Sequence, residues 1–398
     1  MKKFRQILIS ICGLSFGVII GYVLITHLPN LINQSSTTVS PIVLTPKANN
    51  PKEVLGFLPY WLLDKAKPNY SGYITTLDYF SLTPDTDGSI LKFTAPGQSE
   101  PGYYALVGGK LDSFLSAARQ NNIKLSLTIF EGNQDKITSL LSKPAINADN
   151  LMKDIAPIMQ KYSFSDLNLD IERTTLSESE ERNNFTVFVK EIRKQMDNEK
   201  LGTISIDEEY WNNINSNYMI DTASLEKFVD KFILMGYDYH STASNIAGPV
   251  APLYGANIIA EFDIQTAIKE LLSMVPPSKI ILAIPFYGYS WETIDNFERA
   301  AVIPTTAVIV SNHDVEDLLA SCASCSAQYD NDAQEGYLIY KDTGTQTYHQ
   351  IFYPNSVSTQ SKVDFVKSND LGGLAIWALG YEGTTNSILS PIKNYLSH

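Results

Sequence analysis

The sequence predicts an α/β protein built around a closed (β/α)8 barrel, the architecture called a TIM barrel. Eight short apolar segments have the length and composition of strands, at residues 54–60, 76–82, 124–130, 167–172, 203–207, 231–237, 279–286 and 373–378. Amphipathic segments typical of helices lie between most of them, at 110–120, 149–161, 178–198, 224–228 and 263–274. Alternating strands and helices indicate a parallel sheet, and eight repeats indicate closure into a barrel with its active site at the carboxyl ends of the strands.

The interval between the seventh and eighth predicted strands is too long for one loop and one helix. It contains extended segments separated by turn residues, at 335–340 and 346–353. We therefore expect a small α+β insertion at approximately 292–366, on the rim of the barrel, where it could form one wall of a groove.

Composition excludes several classes of function. The net charge of −13 argues against a nucleic-acid partner, which requires a basic surface. The five histidines form no His-x-x-x-His pair and no Cys/His cluster, so a zinc hydrolase is not expected. The chain has neither a glycine-rich phosphate loop nor a Gly-x-Ser-x-Gly elbow. We therefore expect neither a metal nor another cofactor.

The N-terminus predicts a membrane anchor. Lys2, Lys3 and Arg5 precede residues 7–28, which contain no Asp, Glu, Lys or Arg. About 20 apolar residues span a bilayer, and basic residues before the span favour a cytoplasmic N-terminus. We expect a cytoplasmic stub and transmembrane helix at 1–28, with secretion after signal cleavage as the alternative. A Ser/Thr/Pro-rich linker at 29–52 would then tether an extracytoplasmic domain at 53–398.

A pair of cysteines lies inside the predicted insertion. Cys322 and Cys325 are separated by two residues, and no partners for a metal site are evident. Outside the cytoplasm such a pair favours a small local disulfide.

The fourth predicted strand carries the strongest chemical signal. Asp166, Asn168, Asp170 and Glu172 occupy alternate positions, with aliphatic residues between them. Alternate side chains of a strand share one face. Asp and Asn are poor strand formers, so such a face is unusual for a solvated strand. The pattern predicts a strand that directs carboxylates into a site while its aliphatic face packs under helices.

These residues resemble the signature of glycoside hydrolase family 18, the chitinase-like family. The family pattern is Asp-Gly-x-Asp-x-Asp-x-Glu, and Asp170 and Glu172 match its last two acids. Asn168 stands at the preceding polar position, where the family also uses Asn. Ser165 and Asp166 replace the usual Asp-Gly at the start of the strand.

Further segments resemble the family in the same order, and together they cover nearly all of 53–398. They are Met235–Asp238, residues 248–252, 284–288 and 372–380, and the insertion from 337 to 362. Two strand ends depart from the family. The third ends in Glu131-Gly132 instead of a Ser-x-Gly-Gly pattern, and the fifth ends in the acidic run 207–209. These departures suggest a cleft that differs from that of a typical chitinase.

The resemblance implies substrate-assisted catalysis with three catalytic residues. Glu172 would be the proton donor and later the general base. Asp170 would stabilise the intermediate formed by the substrate's acetamido group, and Tyr237 would hold the acetamido carbonyl. Residues two apart on a strand lie roughly 6.6 Å apart at Cα, so the two carboxyl groups can meet. Their repulsion would raise one pKa and keep Glu172 protonated near neutral pH.

The resemblance also implies a set of substrate-binding residues. Asp238 would bind a sugar hydroxyl, and Trp377 would form the apolar floor under the reacting ring. The other candidates are Asn168, which could instead support the network, and Tyr60, Met235 and Tyr287. Trp61, Trp211 and Trp291 could be further sugar platforms or ordinary packing residues.

The sequence therefore predicts a glycosidase that cleaves β-1,4 bonds beside N-acetylated amino sugars. Chitin oligosaccharides and peptidoglycan are both possible substrates. The alternative from another class is a chitinase-like lectin at the cell surface, which binds glycan without cleaving it, and a weaker one is a barrel that organises the envelope. The presence of Glu172, Asp170 and Tyr237 favours the enzyme.

Overall fold

A closed barrel of eight parallel strands forms the core of the computed structural model, which describes residues 52–212, 218–323 and 325–397. The strands are β1 (Glu53–Pro59), β2 (Thr76–Leu82), β3 (Lys124–Glu131), β4 (Asp166–Ile171), β5 (Thr203–Glu209), β6 (Lys231–Met235), β7 (Ile280–Pro285) and β8 (Gly373–Trp377). Each strand pairs with its neighbours in sequence, and β8 pairs with β1. The predicted (β/α)8 barrel is confirmed.

Helices cover the outside of the barrel, except for Asn312–Ser321, which belongs to the insertion between β7 and β8. They are Pro101–Val107, Asp112–Gln120, Gln134–Leu141, Pro144–Tyr162, Ser179–Glu199, Thr222–Leu225, Ile264–Leu272, Asn312–Ser321, Ser356–Ser368 and Ser390–Ser397. The helix after β4 shows why they form: Phe185, Phe188, Ile192 and Met196 recur at helical spacing and are all buried. Burial of such a stripe against the barrel stabilises a helix more than its intrinsic propensity does.

Two strands differ from prediction where they position the site. Strand β5 continues through the acidic residues to Glu209, beyond the predicted end at 207. Closure of the barrel overrides the low strand propensity of acids, because β5 pairs with β6 as far as Glu209 opposite Met235. Strand β6 ends at Met235 rather than at 237. The chain leaves the strand there, and Asp238 adopts a left-handed conformation with φ 63°.

A second sheet of five antiparallel strands lies between β7 and β8. Its spatial order is Val308–Ser311, Tyr287–Thr293, Tyr348–Tyr353, Glu335–Lys341 and Gln328–Asp330. It begins at Tyr287, directly after β7 and before the predicted boundary at 292. Glu335 joins this sheet to the loop after β6, because its carboxylate accepts hydrogen bonds from the backbone N–H groups of Val250 and Ala251, both at 2.8 Å.

The predicted membrane helix at 1–28 lies outside the described residues, as does all of the predicted linker except Lys52. Within the described ranges, no helix has the length and apolar character needed to cross a bilayer. Cys322 and Cys325 are joined by a disulfide, as expected.

Candidate active site

Strand β4 turns its polar face into the barrel. Asp166, Asn168 and Asp170 are buried there at successive heights, and the aliphatic residues between them are buried on the opposite face. The alternating pattern of the sequence therefore becomes a column of polar groups that rises towards the carboxyl end of the barrel.

The lowest group, Asp166, is fully partnered. Ser126 Oγ and Ser205 Oγ donate hydrogen bonds to its Oδ2 at 2.9 and 2.8 Å, and Thr203 donates to Oδ1. The ammonium group of Lys231 lies 3.7 Å from Oδ1. The residue that replaces the family's glycine is therefore part of an internal ion-pair and hydrogen-bond network at the base of the barrel.

Asn168 forms the middle layer. Its Nδ2 donates to Asp207 Oδ2 at 3.0 Å and to Thr128 Oγ1 at 3.3 Å, and Thr128 in turn donates to Asp78. The side chain of Asn168 is completely buried. This position beneath Asp170 fits support of the layer above, rather than direct contact with a sugar.

Asp170 forms the upper layer and lacks such partners. Its side chain is 3% exposed, and Oδ1 has no hydrogen-bond partner among the described residues. Burial and then the neighbouring charges of Glu172 and Asp207 raise the pKa of Asp170 well above its usual range. A buried carboxyl oxygen without a partner is costly, so a ligand that donates a hydrogen bond to it would be stabilised.

Glu172 follows directly after β4 and is held by its backbone. Its N–H donates to Glu131 O at 3.0 Å, and Gln134 Nε2 donates to Glu172 O at 3.0 Å. Burial, and then the charge of Asp238, raise the pKa of Glu172 to about 7. The raised pKa agrees with expectation, but its main cause is burial and not repulsion by the neighbouring acid of β4. The side chain can therefore hold a proton near neutral pH.

Tyr237 and Asp238 lie after β6, on the other side of the cavity. Burial and then the charges of acids on β4 and β5 raise the pKa of Tyr237 well above its usual value, so its hydroxyl remains a donor. Tyr289 donates to Asp238 Oδ1 at 2.8 Å, and Tyr287 donates to the same oxygen. Tyr287, a predicted sugar contact, is itself buried and orients Asp238.

Aromatic rings surround Trp377 at the end of β8. Its ring lies 4.7 Å from that of Phe80, 5.6 Å from Phe57 and 6.4 Å from Trp61. Tyr60 meets Trp61 edge to face at 4.9 Å, and Trp61 is 47% exposed. Such an apolar surface is suited to a sugar ring.

Trp291, a possible sugar platform in the sequence, is a packing residue. It is completely buried in the second sheet, and its indole N–H donates to Ser241 O at 3.2 Å.

A small open cavity lies beside Glu172. Its lining consists of Glu172, Thr174, Glu209, Tyr210, Trp211, Met235, Tyr237 and Asp238. Four predicted site residues, Glu172, Tyr237, Asp238 and Met235, therefore meet at one cavity. Trp211, a possible platform, joins them.

Glu209 and Asp78 are among the buried acids that were not assigned a role from the sequence. Burial and then the charge of Glu172 raise the pKa of Glu209 to about 8, and burial raises the pKa of Asp78 to about 7. The acidic run at the end of β5 was a visible signal for Glu209. Asp78 is a single acid in an apolar strand, so its signal in the sequence was weaker. The described parts of the chain contain no cluster of three or more His, Cys, Asp and Glu residues suited to a metal ion.

These features define a class of protein: a (β/α)8 barrel with a protonatable glutamate and a buried aspartate at the end of its fourth strand. The sequence matches the family Glycosyl hydrolases family 18 over residues 76–382. The chain belongs to this family and is a glycosidase.

Individual relatives are distant in sequence but similar over most of their length. The cortical fragment-lytic enzyme of Bacillus subtilis is 22% identical over 344 residues, covering 82% of this chain and 69% of that protein. The Group IV chitinase of Ostrinia furnacalis superposes with a TM-score of 0.74 at 21% identity, covering 87% of this chain and 100% of the other. A family 18 chitinase from Cycas revoluta in complex with (GlcNAc)4 gives a TM-score of 0.71 at 20% identity, covering 87% and 98%.

Proposed function

We propose that this glycosidase cleaves β-1,4 bonds next to N-acetylglucosamine-type sugars, with retention of configuration, by substrate-assisted catalysis. The observation that carries the proposal is the pairing of Glu172, whose pKa is raised to about 7 at the cavity edge, with Asp170, whose buried Oδ1 has no partner among the described residues. The two groups offer a proton donor and, behind it, an acceptor for an acetamido N–H.

In the first step Glu172 donates its proton to the glycosidic oxygen as the bond from that oxygen to the anomeric carbon breaks. The acetamido oxygen of the same sugar forms the new bond to the anomeric carbon, which gives a cyclic, positively charged oxazolinium ion. Asp170 accepts a hydrogen bond from the acetamido N–H and stabilises the positive charge. The Tyr237 hydroxyl, which keeps its proton, donates to the acetamido oxygen and orients it.

In the second step the ionised Glu172 accepts a proton from water as the water oxygen attacks the anomeric carbon. The bond to the acetamido oxygen breaks, and the sugar is released with its original configuration. Asp238, held by Tyr287 and Tyr289, would bind a sugar hydroxyl, and Trp377 would lie beneath the reacting ring. This role of the substrate distinguishes the proposal from the two-carboxylate schemes of most glycosidases.

Two glycans fit this chemistry. The Cycas revoluta structure is a chitinase in complex with (GlcNAc)4, and the Bacillus subtilis relative is named a cortical fragment-lytic enzyme. Chitin-type oligosaccharides and the glycan of peptidoglycan both contain N-acetylated amino sugars joined by β-1,4 bonds. The proposal covers this substrate class.

The test is to offer the purified protein chitooligosaccharides and purified peptidoglycan in parallel, with Glu172→Gln as the control. We expect cleavage of one or both, and a loss of about 10²–10⁴-fold in the variant, because it cannot donate a proton. Proton NMR should show that the first product retains its configuration. Binding of both glycans without cleavage by the unaltered protein, or an inverted first product, would contradict the proposal.

We also propose that the barrel acts outside the cytoplasmic membrane. The basic residues before the apolar run at 7–28 support this location, and so does the disulfide between Cys322 and Cys325, because disulfides persist in oxidising compartments. Protease treatment of intact cells should release a fragment of the barrel. Its complete protection, with the protein shown to be present, would contradict this location.

A further inference from the structure

Glu335 is a completely buried acid of the insertion, and the proposed mechanism gives it no role. It is the first residue of the strand Glu335–Lys341 and is 0% exposed. Its Oε1 accepts a hydrogen bond from the N–H of Val250 and its Oε2 from the N–H of Ala251, each at 2.8 Å. Both donors belong to the loop after β6. Hydrogen bonds to a charged acceptor are stronger than those to a neutral one, so this pair fixes the loop to the insertion.

The loop that Glu335 holds also contacts the residue that follows Asp238. The carbonyl oxygen of Val250 accepts a hydrogen bond from the N–H of Tyr239 at 3.1 Å. Val250 therefore links Glu335 on one side to the backbone beside Asp238 on the other. Asp238 has a left-handed backbone conformation with φ 63°, and such a conformation persists where the surrounding contacts determine it.

The same insertion also holds the side chain of Asp238. Tyr289 donates a hydrogen bond to its Oδ1 at 2.8 Å, and Tyr287 donates to the same oxygen. Both tyrosines lie on the strand Tyr287–Thr293, which belongs to the same five-stranded sheet as Glu335. The insertion thus fixes Asp238 through its side chain and, by way of Glu335, through its backbone.

Tyr237 is held by a different part of the barrel. The residue before it, Gly236, donates its N–H to the carbonyl oxygen of Ala283 on β7 at 3.0 Å. Loss of the contact between the loop and the insertion should therefore displace Asp238 more than Tyr237.

We propose that Glu335 is a positioning residue for the reaction, which holds the loop at Val250 and Ala251 and thereby keeps Asp238 beside Glu172. The inference rests on the proposed function, in which Asp238 binds a sugar hydroxyl and Glu172 donates a proton. The charge of Asp238 also contributes to the raised pKa of Glu172. A displaced Asp238 would therefore change both the binding of substrate and the pH at which Glu172 loses its proton.

The test is the pH profile of Glu335→Gln on a chitooligosaccharide. The amide keeps the size of the side chain but places an NH2 group against one of the two N–H donors. We expect KM to rise about tenfold and the alkaline limb of kcat to move to lower pH by about 0.5 unit. A loss of stability alone lowers the amount of active enzyme and shifts neither quantity. The other titratable groups that interact with Glu172 lie on β4 and β5 or are tied to β7 through Gly236, and they are Asp170, Asp207, Glu209 and Tyr237.

A double variant shows whether Glu335 acts through Asp238. Asp238→Asn with Glu335→Gln should have the same alkaline limb as Asp238→Asn alone, because no charge remains for Glu335 to position. Asp314→Asn is the matched control. Asp314 also belongs to the insertion, and its carboxylate accepts hydrogen bonds from the N–H and Oγ of Ser311 at 2.7 and 2.6 Å. We expect this control to keep the KM and the alkaline limb of the unaltered enzyme.

A second variant keeps the charge of the site. Lys362, on the helix Ser356–Ser368, is buried and interacts with Glu335 through its charge, so Glu335→Gln leaves this cation without its counter-charge. If Glu335→Gln does not fold, Glu335→Asp takes its place. Its shorter side chain retains the charge but cannot reach both N–H groups, and we expect KM and the alkaline limb to change in the same directions.

Two results would overturn the inference. One is an alkaline limb that stays in place in folded Glu335→Gln or Glu335→Asp. The other is a double variant whose limb lies at lower pH than that of Asp238→Asn alone. Failure of the proposed function gives a different result, which would overturn the inference as well: the unaltered protein cleaves neither chitooligosaccharides nor peptidoglycan.

Discussion

An aspartate lies at the lower end of β4 and another near its upper end, and the two differ in their hydrogen-bond partners. Asp166, at the base of the barrel, accepts hydrogen bonds from three hydroxyl groups and faces Lys231. Asp170 lies on the same face of the same strand, is buried equally, and leaves one oxygen without a partner among the described residues. The two side chains are equally buried but differ in their partners. Asp166 therefore supports the fold, whereas Asp170 is available to a substrate.

The difference follows from the cost of burying charge. A buried ion pair offsets part of its desolvation cost through its own attraction and hydrogen bonds, whereas burial without a cation beside it raises the pKa of an acid. The upper layer contains several such acids, whose mutual repulsion adds to the effect of burial. The site is therefore less stable than the base of the same barrel, and a donating substrate can relieve this.

Of the substitutions that test this difference, Asp170→Asn should have the largest effect, and it should act on kcat. The amide keeps the size of the side chain but cannot ionise to stabilise a positive intermediate. We expect kcat on a chitooligosaccharide to fall about 10²–10³-fold, by analogy with the loss of one preorganised electrostatic contact in other enzymes. A rise in KM with unchanged kcat would instead make Asp170 a residue of ground-state binding.

Lys231→Met should have the next largest effect, and on stability instead of rate. Lys231 contacts Asp166 at 3.7 Å and Glu53 at 2.8 Å, so its removal leaves two carboxylates without their cation. We expect the free energy of unfolding to fall by about 3–5 kcal/mol in denaturant titrations, with kcat of the folded protein unchanged.

The matched control for that change is Lys92→Met. Lys92 pairs with Asp154 at 3.4 Å, but its side chain is 44% exposed. Water screens such a pair, so we expect a change of at most about 1 kcal/mol. Equal effects of the two substitutions would remove the distinction between the base of the barrel and its surface.

The acids of the interior should also make stability depend on pH. The folded pKa of Asp78 is raised from 3.8 to about 7, so the folded state holds this proton more tightly than the unfolded chain. The resulting stabilisation is complete below pH 3.8 and is lost as the pH rises to about 7. We expect Asp78→Asn to reduce the fall in unfolding free energy over this range by up to about 1.4 kcal/mol per pH unit.

Asp317→Asn provides the comparison for that titration. Asp317 lies on the exposed surface of a helix, with a side chain that is 72% accessible. We expect the free energy of unfolding of Asp317→Asn to lie within about 0.5 kcal/mol of that of the unaltered protein, because the substitution is on the surface. A slope that is unchanged in Asp78→Asn would show that Asp78 does not hold a proton in the folded state.

The sequence was sufficient for the barrel and for the column of polar groups on β4, because both depend on local periodicity. Strand β2 is observed at Thr76–Leu82, as predicted. The same strand also contains a residue, Asp78, whose surroundings could not be predicted from the sequence. Asp78 is one acid in an apolar run, and only the pairing of β2 with β3 places its carboxyl group beside Thr128.

The acids of β5 show the same limit more clearly. In the sequence they form one acidic run at the end of the predicted fifth strand, and the run alone does not distinguish one acid from the next. In the fold Glu208 accepts a hydrogen bond from Thr222 at 2.8 Å, while Glu209 lines the cavity. Which of two adjacent acids faces the site depends on strand register, and register is set by pairing between distant segments.

The cause of the raised pKa of Glu172 could not be predicted either, and it leads to the smallest effect expected here. Burial is the main cause and the charge of Asp238 adds to it, so loss of that charge should lower the pKa only in part. The enzyme needs Glu172 protonated, and its kcat should fall as pH rises through about 7. In Asp238→Asn this alkaline limb should move to lower pH. If kcat of Asp238→Asn falls at the same pH as in the unaltered enzyme while KM rises, Asp238 only binds the sugar. Burial alone would then account for the raised pKa of Glu172.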